Sequence, residues 1–216
     1  MTTKPAMERL GPDELRDATR FVLREEFTHQ EIAQFAQEYF WQHRSWITWA
    51  INALLLLNLA ALFLVARQQG YSFGRALTLW GWAMLATFLL LLPVHEAIHA
   101  LVYWWEGCRD IQWSYSLRSF AVYVTANQFV VNAREFFWVA VMPFWVVSCV
   151  LLTGAALVPA WRFFLLSMLL AHTAASSGDW ALINYFWLRR GEQVYTFDDV
   201  PAGKSYFYAR VAATGR

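Results

Sequence analysis

At 216 residues the chain has room for one domain, and its composition is 58% hydrophobic and 15% charged, well under the roughly 25% charge of a soluble globular protein. That balance points to lipid. A formal net charge of +1 argues against nucleic acid as a partner, because phosphate binding requires a concentrated basic surface.

The first 44 residues are too polar and too acidic for a cleavable signal or transit peptide, so the first apolar stretch is expected to stay as an anchor. Two short amphipathic helices are predicted here. The second is announced by Thr28-His29-Gln30-Glu31, a capping-box pattern, and continues with Ile32, Phe35, Ala36, Tyr39 and Phe40 on one face, which is expected to lie on the membrane or on the core. Four stretches then follow that are long and apolar enough to span a hydrocarbon core: 46–66, 76–105, 136–157 and 162–188. Trp41 and Trp46 precede the first, Trp104 and Trp105 close the second, Trp138 opens the third and Trp187 closes the fourth, as interfacial anchors do.

Four crossings place both termini and the segment from Glu106 to Glu135 on one side. Of the 17 Lys and Arg residues, all but Arg67, Arg75 and Arg162 fall there, so the positive-inside rule makes that side cytoplasmic. Within the central segment, Ile111, Trp113, Tyr115 and Leu117 alternate with polar residues, and Phe120, Val122 and Val124 alternate again after Arg118-Ser119, which predicts a β-hairpin. A second hairpin, Val194 to Phe197 and Tyr206 to Tyr208 around Pro201-Ala202-Gly203, is expected in the polar tail. The fold class is thus mainly α: a polytopic membrane protein with about four transmembrane helices, N-terminal amphipathic helices and small cytoplasmic β-hairpins. Its divisions are expected at 1–45 (cytoplasmic or interfacial helices), 46–190 (membrane core) and 191–216 (cytoplasmic tail).

Chemistry concentrates in His95-Glu96-Ala97-Ile98-His99-Ala100. Two histidines four residues apart project from one helical face a turn apart and can grip one metal ion. In the HExxH arrangement the glutamate, here Glu96, binds no metal but takes a proton from the attacking water and passes it to the leaving amine. Three ionisable side chains in five residues at the end of a membrane helix are costly without a function. A catalytic zinc also needs a third protein ligand. Asp179 is the leading candidate, being the one acidic residue besides Glu96 inside a predicted span and following the small residues Ser176-Ser177-Gly178. Glu106 and Glu135 are alternatives in the aqueous loop. His172, seven residues before Asp179, shares its face and could bind metal, stabilise an oxyanion or hydrogen-bond in the core. Asn127 and Gln128 could donate to a reacting carbonyl. His29 and His43 read as surface histidines, and Cys108 and Cys149 form neither a disulfide framework nor a CxxC metal pair.

With HEAIHA in the second span, SSGDW in the fourth, the AVMPF segment around Pro143 and a tail ending in SYFYAR, the chain resembles the putative zincin peptidases over roughly residues 45 to 210. That family is distantly similar to the site-2 intramembrane metalloproteases. The resemblance implies a zinc site of His95, His99 and Asp179 with Glu96 as base in a membrane-embedded core. The site-2 enzymes carry an Asn-Pro motif before an Asp-Gly pair, where this chain has Ser176-Ser177-Gly178-Asp179-Trp180. The function expected is hydrolysis of peptide bonds in membrane-protein or juxtamembrane peptide substrates, with membrane lipid as the surrounding partner. The alternative is a non-catalytic membrane subunit or assembly factor associated with other membrane proteins.

Overall fold

The structure, a computed structural model, describes residues 9–116 and 121–211; Leu117, Arg118, Ser119 and Phe120 of the first predicted hairpin lie outside them. The chain is mainly helical, with two small antiparallel sheets. Three helices are long and apolar enough to cross a membrane: Trp46–Gln68, Phe73–Trp105 and Ala133–Leu157. Their outward faces carry exposed Leu56, Leu57, Phe63, Leu89, Val150 and Leu152, which only a hydrocarbon solvent would suit. All six tryptophans placed at span boundaries by the sequence are exposed, and the rings of Trp46 and Trp187 meet edge to face at 5.5 Å.

The N-terminal region departs from the two helices expected of it. A single turn, α1 (Pro12–Leu15), is followed by a strand, β1 (Phe21–Thr28), and only then by the amphipathic helix α2 (Ile32–Trp41). The strand hid from a period-two reading because its register shifts between Leu23 and Glu25. Such a bulge turns the pleat over. Phe21 therefore packs with Leu15, Phe197 and Tyr208 on one face of the sheet, while Phe27 packs with Phe207 and the membrane core on the other. Glu31 accepts hydrogen bonds from the backbone N–H and hydroxyl of Thr28 at 2.8 and 2.9 Å, so the pair meets, but not as the expected capping box: Thr28 ends β1, and α2 starts from Glu31 without a side-chain cap. The apolar face of α2 lies on the protein core, where Phe35 and Tyr39 meet Tyr185.

Helix α3 (Trp46–Gln68) is capped by Ser45 and runs without interruption. Next, α4 (Phe73–Ala86) passes into α5 (Leu92–Trp105) through one π turn, Thr87–Leu91. Pro93 explains that turn: its ring crowds the carbonyl four residues back and it has no N–H to offer, so the backbone widens just before it. The hairpin predicted after α5 is present as β2 (Ile111–Ser116) and β3 (Ala121–Ala126). The tail hairpin is present as β5 (Val194–Asp199) and β6 (Lys204–Arg210). The tail is not a free-standing pair, however. With β4 (Val131–Asn132) it forms a four-stranded sheet of order β1-β6-β5-β4, which joins the two ends of the chain.

Helix α6 (Ala133–Leu157) starts at a reciprocal cap: the Asn132 side chain accepts from the N–H groups of Arg134 and Glu135, and Glu135 accepts from the Asn132 N–H. The fourth predicted stretch, 162–188, is two helices rather than one, α7 (Arg162–Ala175) and α8 (Ser177–Leu188), with the break at Ser176. There the His172 carbonyl accepts from both the N–H and the hydroxyl of Ser176 at 2.9 Å, closing the last turn of α7. Neither half alone has the length of a span.

Two polar clamps hold the parts outside this bundle in place. The fully buried Asn184 amide on α8 donates to the carbonyls of Tyr39 at 2.7 Å and His43 at 2.6 Å, holding the end of α2. Asn184→Ala would strand two carbonyls, and is expected to lower stability by about 1–3 kcal/mol, read as a drop in melting temperature in detergent and as faster proteolysis within α2. At the second clamp Asn127 donates to Asp110 at 2.6 Å and accepts from the Val200 N–H at 3.0 Å, tying the β2–β3 hairpin to the tail. The hydrogen bond from Asn127, aided by Gln112, holds the Asp110 carboxyl below its ordinary value. A carboxyl so lowered stabilises the fold above its unfolded pKa, and that contribution is lost as pH falls through the folded one. The gap in melting temperature between wild type and Asn127→Ala should therefore narrow as pH is lowered from about 5 to 3.

Candidate metal centre

The π turn ends one turn before His95, and α5 then presents His95 and His99 on the face turned toward α6, α7 and α8. Both imidazoles are buried, at 4% and 8% exposure. The break at Ser176 places Asp179 in the first turn of α8, where the helix dipole favours a carboxylate. The three side chains meet. His95 Nε2 lies 3.1 Å from Asp179 Oδ2, His99 Nε2 lies 3.5 Å from Asp179 Oδ1, and the two Nε2 atoms are 3.0 Å apart. Donors each about 2.1 Å from one ion at tetrahedral angles stand about 3.4 Å apart, so the set fits a single small cation. It could hold a metal ion.

A ligating imidazole must direct a lone pair at the metal, and the partner of its other nitrogen decides this. His99 Nδ1 lies 3.0 Å from the Val139 carbonyl. A carbonyl only accepts, so the proton sits on Nδ1 and the lone pair on Nε2 faces the cluster. That carbonyl is available for a reason legible in the chain. In a helix, the C=O of residue 139 would accept from the N–H of residue 143, and residue 143 is proline, inside α6. Pro143 thus exposes the acceptor that orients His99.

Glu96 is half-buried beside this pair, and its Oε2 accepts from the backbone N–H of Val124 at 2.9 Å. Val124 stands opposite Trp113 in the hairpin. Because its N–H points to Glu96 instead of across to β2, the outer edge of β3 faces the HExxH helix. His172 is fully buried, with Nε2 2.9 Å from His95 Nδ1.

The remaining candidates are engaged elsewhere. Glu135 caps α6 and pairs with Arg9 at 3.0 Å, and Glu106 lies 3.9 Å from the same guanidinium, so neither alternative carboxylate reaches the cluster. Asn127 is committed to the clamp described above, and the Gln128 N–H is bonded to the Asp198 carbonyl. His43 is exposed against Glu38, His29 is half-buried with its ring edge on Tyr123, and both cysteines are free thiols. The alternation of β3 predicted a strand but not the aim of the Val124 N–H. Pro143 was visible in the sequence, and counting back four residues from it would have found the Val139 carbonyl.

Residues 88–193 match the model of a family described as Putative zincin peptidase. The resemblance drawn from HEAIHA and SSGDW is borne out over that segment. The matched segment begins within the π turn and ends just before β5, and it contains His95, Glu96, His99, Val139, Pro143, His172 and Asp179. No curated protein and no solved structure matches the chain.

Pro143→Ala would return an N–H to α6 and offer the Val139 carbonyl an intrahelical donor in competition with His99. Zinc affinity, measured by chelator competition, is expected to fall by about 10-fold, while the melting temperature of the same preparation stays level or rises.

Proposed function

We propose that the chain is a membrane-embedded zinc metallopeptidase that hydrolyses peptide bonds of membrane or juxtamembrane substrates. The observation that carries this reading is the convergence of His95 Nε2, His99 Nε2 and the Asp179 carboxylate beside Glu96, within a bundle of helices fit to cross a membrane. Three donors, the number found among the described residues, is the ligand count of a catalytic zinc site rather than the four of a structural one. A bound zinc ion would supply a Lewis acid that polarises the scissile carbonyl and lowers the pKa of a water.

The protein's own residues supply the rest. His95, His99 and Asp179 would hold the ion, the two histidines from a buried position. Glu96 accepts a proton from the attacking water on its carboxylate and transfers it to the amine that leaves. The outward edge of β3, with its Val124 N–H beside Glu96, favours a substrate bound as an extended strand, paired backbone to backbone, with its carbonyl brought to the cluster. In the bilayer, the kinked α7–α8 pair serves as a fourth crossing. Both termini, the hairpin and the four-stranded sheet then lie on the cytoplasmic side, in keeping with the charge distribution.

Glu96→Gln tests the reading while leaving an oxygen for the Val124 N–H. Wild type and variant purified in detergent should each carry one zinc per chain, and cells expressing them should differ in fragments of membrane proteins. Cleavage by the variant is expected to fall by about 10²–10⁴-fold. Metal-free wild-type protein that co-purifies with defined membrane partners would instead identify a non-catalytic subunit.

A further inference from the structure

His99 draws its orienting partner from the backbone, but His95 has none there among the described residues. The group within reach of its Nδ1 is the imidazole of His172 on α7, 77 residues along the chain, whose Nε2 lies at 2.9 Å. His95 Nε2 faces Asp179 and His99, and it can offer a lone pair there only if the ring proton sits on Nδ1. The Nδ1–H then donates to His172 Nε2, which must accept. A neutral His172 in that role carries its own proton on Nδ1, and this atom is buried with no partner among the described residues.

A core-filling role does not account for that arrangement. The His172 ring stacks on Phe144 at 6.1 Å with 14° between planes. A phenylalanine would occupy the same stack and leave no polar atom stranded, whereas burying an unpartnered N–H is unfavourable. What phenylalanine lacks is an acceptor for the His95 proton.

We propose that His172 is a positioning residue for the metal centre: it fixes the tautomer and ring plane of His95 and so completes, for the first ligand, what the Val139 carbonyl does for the second. This rests on reading His95, His99 and Asp179 as metal ligands. It adds that α7 contributes to the centre without touching the ion, through an imidazole acceptor in place of the carboxylate or carbonyl that more often fills this position.

The test uses the full chain in detergent with three variants. His172→Phe keeps ring and volume without an acceptor, His172→Gln carries its amide oxygen near the place of Nε2, and His172→Asn carries it near the place of Nδ1. Zinc affinity is read by chelator competition and ligand geometry by the visible absorption of the Co²⁺-loaded protein, with melting temperature as the folding control. His172→Phe and His172→Asn should lose about 10–100-fold in affinity with an altered cobalt spectrum, and His172→Gln should remain within a few-fold of wild type on both readouts. Wild-type affinity and spectrum in a folded His172→Phe would overturn the proposal. Should His172→Phe fail to fold, equal affinities of the Gln and Asn variants would overturn it instead. A wild-type protein that binds neither zinc nor Co²⁺ would remove the metal reading itself, a result distinct from either.

Discussion

A helix carbonyl that loses its N–H partner inside a bilayer has no water to turn to, and must find a donor within the protein. Pro143 creates that situation at Val139, and the donor that answers is His99 Nδ1. Much of the centre depends on this bond. It fixes the tautomer of His99, joins α5 to α6, and converts what would be a defect in a long apolar helix into the support of a candidate ligand. Removing either side exposes the other: an unpaired carbonyl in hydrocarbon, or an imidazole free to present the wrong nitrogen.

The same economy recurs at two other irregular points. Pro93 follows a π turn that ends one turn before His95, and the last apolar stretch breaks at Ser176, three residues before Asp179. An uninterrupted α5 and an uninterrupted α7–α8 would present their side chains on faces set by a constant 100° per residue. At these interruptions a histidine pair on one helix meets a carboxylate that lies 84 residues beyond His95 in the chain. The regular parts of the bundle provide length and apolar surface, and the chemistry sits at the interruptions.

Sequence patterns exposed the long-range plan more readily than its joints. Hydropathy located each apolar stretch, period-two alternation located both hairpins, and the HExxH spacing located the histidine pair, because each rests on local periodicity that a single chain carries in full. The choice of Asp179 over Glu106 and Glu135 followed from burial: the latter two had aqueous partners available, and the structure pairs both with Arg9. Three features resisted. β1 read as a helix because its bulge at Arg24 breaks the alternation. The last stretch read as one helix because serine and glycine interrupt a helix without the certainty of proline. The roles of Val139, Val124 and His172 depend on distant partners that no local pattern encodes.

The four-stranded sheet has a bearing on how the molecule is made. Its strand β1 is made before the three helices fit to cross a membrane, and the partner of that strand, β6, is made after them. Asp179 likewise arrives on α8, long after the two histidines have entered the bilayer on α5. Assembly therefore cannot be completed in order of synthesis, in contrast to domains that fold one after another as they emerge. A nascent chain that has inserted its histidines still lacks their carboxylate, and one that has gained the carboxylate still lacks the strand that closes the sheet. The order of synthesis therefore leaves the donor set incomplete until α8 is made, and the sheet open until β6 follows.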